Sequence, residues 1–114
     1  MVLRNMSLNK DLSDLTDRIA CWASKERWIA AVYMFGSRVK GTAHEDSDLD
    51  IAVRLNLSDE GEALGWFMGE EKRWEQELNS LVPYKVHLEL YHAVATNNVV
   101  SYVSDHGIMI WERK

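Results

Sequence analysis

Apolar positions along the chain follow two different periods. Leu8, Leu12, Leu15, Ile19, Trp22 and Ala23 recur every three or four residues, which predicts a helix over residues 7–27 with these side chains on one face and Ser7 or Asn9 as its cap. The run "WIAAVYMF", residues 28–35, is continuously apolar, short and stopped by Gly36, so it predicts a strand buried on both faces. Residues 48–55 alternate instead, with Leu49, Ile51, Val53 and Leu55 on the core face and Asp48, Asp50, Ala52 and Arg54 on the other. Ser58, followed by Asp59, Glu60 and Glu62, reads as a helix start. Leu64, Phe67, Trp74, Leu78 and Leu81 carry its apolar stripe until Pro83 forbids further helix, and "GEEKRWEQEL" is read as its wet face. "YKVHLELY", residues 84–91, alternates again, with Val86, Leu88 and Leu90 facing one way and Lys85, His87, Glu89 and Tyr91 the other. A short helix through Val99, Val100 and Val103, a left-handed stop at Gly107 and a last strand in "IMIWERK" complete the pattern. The order α-β-turn-β-α-β-α-β, without repeats or linkers, predicts a single domain over residues 1–114.

Composition narrows the classes of function. A chain of 114 residues that is 46% hydrophobic can bury one modest core, which leaves little room for a second substrate-binding domain. Thirteen Lys and Arg against eighteen Asp and Glu give a net charge of -5, so no general basic field exists to hold a nucleic-acid backbone, and nucleic acid is disfavoured as a partner. The start "MVLRNMSLNK" has no apolar signal-peptide core and the longest apolar run is too short to span a bilayer, so a cytoplasmic chain without a membrane partner is expected. Cys21 is the one cysteine and is expected to be a buried small residue of the first helix. Four histidines are present: His87 in the third strand, His44 near the acidic loop, and His92 and His106 at element ends where exposure is expected. The tryptophans are read as core, with Trp111 as the exception.

Candidate chemistry concentrates in "YMFGSRVKGTAHEDSDLDIAV", residues 33–53. A strand that ends in Gly36-Ser37 and turns offers free amides, a close approach at the glycine and a hydroxyl donor to a phosphate, and Gly41 would release the chain back to the sheet. Asp48 and Asp50, two apart in a strand, project from one face with Cα atoms roughly 6 to 7 Å apart, close enough to share one hard cation or two. Mg²⁺ suits such a pair, because it takes a few carboxylate oxygens, waters and substrate phosphate oxygens. Asp46, Asp48 and Asp50 also imitate the start of a calcium loop. Ile51 and Leu57 stand where that loop needs glycine and glutamate, which excludes it.

At these residues the sequence resembles the nucleotidyltransferase superfamily of DNA polymerase beta, and within it the minimal nucleotidyltransferase (MNT) branch. Gly36-Ser37, ten residues, then Asp48-Leu49-Asp50 follows the family signature, with Arg38, Gly41 and Ser47 matching the branch's "GSR..G.....SD.D". The resemblance implies an α+β fold, a mixed β-sheet with helices packed on it, and attack of an acceptor on the α-phosphate of a nucleoside triphosphate, with ATP as the substrate, held with Mg²⁺, two ions in all. It implies that Gly36, Ser37, Arg38 and Ser47 bind the nucleotide and that Asp48 and Asp50 bind metal. The departure is in the third strand, where the family's further aspartate is replaced by His87, with Glu89 two residues on and on the same face. Glu89 as third metal carboxylate, His87 as base and an inactive site are the readings left open. His87 suits proton removal because an unperturbed imidazole titrates at ~6.5.

The branch implies a specific function. Its small proteins pair with helical HEPN-domain proteins, and some are antitoxins that adenylylate that toxin, so AMP transfer to a partner hydroxyl is the first expectation. A degenerate fold that acts by partner binding alone is the alternative. An aminoglycoside-type enzyme is the second, and a chain of 114 residues leaves little room for the helical structure that holds the sugar. An oligomer is compatible with the sequence without being specified by it.

Overall fold

The computed structural model of the chain describes residues 2–3, 10–36, 48–92 and 107–113. Within them the order is β1 (Val2–Leu3), α1 (Lys10–Ser24), β2 (Ile29–Phe35), β3 (Leu49–Leu55), α2 (Glu60–Leu81), β4 (Val86–Leu90) and β5 (Ile108–Glu112). The strands form one five-stranded mixed sheet in the order β1-β5-β2-β3-β4. The α+β class therefore holds. The helix expected through Val99, Val100 and Val103 falls outside the described residues, as do Ser7 and Asn9.

The sequence explains the positions of these strands. Flanked by β3 and β5, both antiparallel to it, β2 is interior, and its unbroken apolar run supplies two layers. Val32 and Met34 face the principal core with α1 and α2, while Ala31, Tyr33 and Phe35 join Ala52 in a smaller cluster on the opposite face. The chain then crosses by α2 from β3 to its parallel neighbour β4, the usual way of linking parallel strands. β1 carries no readable period because it is two residues long; it pairs in parallel with β5.

α1 buries Leu15, Ile19, Trp22 and Ala23 as the spacing requires. Cys21 corrects the expectation, since it is exposed. The N-cap of α2 is Asp59, one residue later than Ser58, because its carboxylate accepts the Glu62 amide at 2.9 Å. The buried stripe of α2 is Ala63, Phe67, Trp74 and Leu78; Leu64, read as part of it, is 46% exposed. Glu26 ties the two helices, accepting the Trp74 indole at 2.6 Å and the Arg73 guanidinium at 2.8 Å. Trp22 donates to Glu77 at 2.9 Å from the other side.

Candidate active site

Where β2 ends, Phe35 pairs with Asp50, and Gly36 follows with a φ of 84°. That left-handed backbone favours glycine. Asp50 in turn pairs with His87 on β4, and Ala52 pairs with Glu89. Because β3 alternates, Leu49, Ile51 and Val53 are buried in the principal core while Asp50 points from the opposite face beside His87. The register thus assembles Gly36, Asp50, His87 and Glu89, and Asp48 lies immediately before β3.

The charges of this group are coupled. His87 Nε2 and Glu89 Oε1 are 2.7 Å apart, and His87 Nδ1 lies 3.8 Å from Asp50 Oδ1. Glu89, a carboxylate, accepts from Nε2, which leaves Nδ1 as the unprotonated nitrogen of the neutral ring, on the side of Asp50. Burial works against a charged His87, yet the bond to Glu89 and the charges of Glu89, Asp50 and Asp48 outweigh it and raise the ring's pKa. Burial also raises Asp50 above the usual carboxylate range; Asp48 and Glu89 add to this, and His87 opposes it.

A stability prediction follows for the protein free of metal and nucleotide. Asp50 binds its proton more tightly folded than unfolded, so its contribution to stability is greatest below about pH 4 and is lost as pH rises through its raised folded value. At neutral pH the ionised side chain is thus a cost, and Asp50→Asn should stabilise the fold by up to about 1 kcal/mol, a gain that fades on acidification. Urea unfolding at two pH values measures it.

The residues present fit Mg²⁺ as a two-carboxylate site. Asp48 and Asp50 offer hard oxygens, and a cation would relieve the cost of ionising Asp50. Among the described residues no three His, Cys, Asp or Glu side chains converge as a metal cage, so other ligands would have to come from phosphate or water. Glu89 is engaged by His87. Ser37, Arg38, Gly41, His44, Asp46, Ser47 and His106 lie outside the described residues.

The sequence matches the family described as "Polymerase beta, Nucleotidyltransferase" over residues 17–114. The chain belongs to this family. No functionally curated protein matches it in sequence. Among solved structures this chain is similar to a toxin-antitoxin crystallised with AMP-PNP, at 23% identity and a TM-score of 0.59, covering 87% of this chain and 74% of that one. A mutant of the toxin-antitoxin MntA-HpeT gives 22% and 0.60 over 88% and 74%. The tri-AMPylated Shewanella oneidensis HEPN toxin in complex with its MNT antitoxin gives 19% and 0.58 over 89% and 72%. At these identities the likeness establishes the nucleotidyltransferase fold.

Three features escaped the sequence reading. Glu71, assigned to the wet face of α2, is half-buried at helical spacing from Phe67 and Trp74, and its carboxyl is pushed up by partial burial, with Glu75 and Glu89 adding and His87 opposing. The four- and three-residue spacing to those neighbours was the available signal. Tyr33 and Tyr91 stack with centroids 4.7 Å apart on the Asp50 side of the sheet. His92, expected at the surface, is 8% exposed.

Proposed function

We propose that this nucleotidyltransferase transfers AMP from ATP to a hydroxyl of a helical HEPN-type partner, and so acts as the antitoxin of a toxin-antitoxin pair in the cytoplasm. The observation that carries the reading is the convergence of Gly36, Asp50 and the bonded His87–Glu89 pair at one end of the sheet. The family match and the toxin-antitoxin structures support the same chemistry and class of partner.

In this reading Gly36, Ser37, Arg38 and Ser47 bind the triphosphate, and Asp48 and Asp50 hold Mg²⁺, which supplies charge screening and Lewis acidity. His87 Nδ1 takes the proton of the acceptor hydroxyl, with Glu89 holding the ring through Nε2. The hydroxyl oxygen bonds to the α-phosphorus as the bond to pyrophosphate breaks. Pyrophosphate release from ATP and Mg²⁺ in the presence of the HEPN-type partner tests the reaction, and none above the partner-free rate would refute it.

The bonded pair separates two roles for the third strand. As base, His87 should lose about 10²- to 10⁴-fold in turnover on His87→Ala, whereas Glu89→Gln, whose amide oxygen still accepts from Nε2, should lose about tenfold or less. Glu89 as a metal carboxylate predicts the opposite ranking. A second reading, partner binding without catalysis, is favoured by one observation: Glu89 is bonded to His87, and no third carboxylate converges on Asp48 and Asp50 among the described residues. A stable complex with the partner that releases no pyrophosphate from ATP and Mg²⁺ would support it.

A further inference from the structure

Gly36 does more in this structure than reverse the chain. An ideal Cβ built on it would lie 1.9 Å from Asp50 Oδ2, 2.8 Å from its Cγ and 3.1 Å from its Cβ. The first two distances are far inside contact range, so any L side chain at position 36 would have to displace the Asp50 carboxylate. Asp50 is enclosed from the other side by His87, whose Nδ1 stands 3.8 Å from Oδ1. The pairing of Phe35 with Asp50 fixes both backbones, so the side chain alone can move.

We propose that Gly36 is a positioning residue for Asp50: its bare Cα is the seat that holds the carboxylate in the orientation that faces His87. This differs from a glycine kept bare for the approach of phosphate, since the space its missing Cβ leaves is filled by the protein's own carboxylate. The proposal rests on Asp48 and Asp50 as cation ligands. Displacing Asp50 then weakens cation binding before any nucleotide arrives, an effect that a pure phosphate-approach role does not have.

The test uses the full chain with Mn²⁺ as probe and no nucleotide, read by water-proton relaxation. Gly36→Ala should weaken Mn²⁺ binding about 10- to 100-fold, the usual effect of disturbing a residue that orients a metal ligand. Unfolding by urea supplies an independent cycle of Gly36→Ala, Asp50→Ala and the double variant. The cost of the positive φ is common to both backgrounds and cancels, so the loss of stability caused by Gly36→Ala should shrink clearly when Asp50 is already alanine. A single variant that fails to fold beside a double variant that folds is the strongest form of this coupling. Additive effects overturn the proposal whatever Mn²⁺ does, and unchanged Mn²⁺ affinity in Gly36→Ala overturns it as well. If the parent chain itself binds no Mn²⁺, the cation reading fails separately, and the stability cycle alone decides whether Gly36 seats Asp50.

Discussion

Asp48→Asn and Asp50→Asn should each lower nucleotidyl transfer by about 10²- to 10³-fold or more, the scale on which removing one preorganised electrostatic group slows an enzyme. The sheet should remain folded, because Asp50 points away from the principal core and asparagine matches its shape beside Gly36. A slower but more stable Asp50→Asn protein is therefore the signature of a side chain kept for function at a cost in stability. Initial rates with ATP, Mg²⁺ and partner, set beside urea midpoints, give both halves of the result. Full activity in the double asparagine variant would remove these carboxylates from the chemistry.

Trp74→Ala should have the largest effect on the fold. Trp74 is 1% exposed, meets Trp22 edge-on at 6.3 Å and Phe67 at 6.5 Å, and donates its indole N–H to Glu26 at 2.6 Å. Losing the ring costs about 3–5 kcal/mol in transfer and cavity terms. The half-buried Glu26 carboxylate also loses a donor, although Arg73 still holds it at 2.8 Å. Against a total stability of about 5–15 kcal/mol, such a loss leaves a marginal domain. Trp74→Phe should cost less, about 2–3 kcal/mol, since a six-membered ring still fills most of the site while the N–H and part of the indole volume are lost. Urea unfolding followed by circular dichroism checks both, and a Trp74→Ala loss below that of Trp74→Phe would contradict the packing account.

The sheet was legible where one local signal dominated. "WIAAVYMF" marked β2 as interior because both its faces are covered, and alternation exposed β3 and β4 because one face of each meets the core. The cap of α2 slipped by one residue because Ser58 and Asp59 are both good caps, and only the reach of the Asp59 carboxylate to the Glu62 amide decides between them. Leu64 was misplaced for a related reason: Gly61, Gly65 and Gly69 blur the polar face of the first turns, so the stripe's phase is set by Ala63 and Phe67 instead. Glu71 shows the converse, a half-buried charge beside the apolar stripe that composition alone assigns to water. At the site, the pairing of His87 with Glu89 follows from strand period, two residues apart on one face. The seating of Asp50 against Gly36 does not, because it depends on the register of β2 against β3, and that of His87 beside Asp50 on the register of β3 against β4.

On the proposed function the chain modifies its partner rather than merely covering it. Intact mass spectrometry of the HEPN-type partner, co-expressed with the parent chain or with the Asp48→Asn/Asp50→Asn variant, tests it most directly. The partner should carry one or more added AMP groups on a hydroxyl with the parent chain and none with the variant. A stable complex whose partner carries no added mass, formed equally well by both chains, would contradict it.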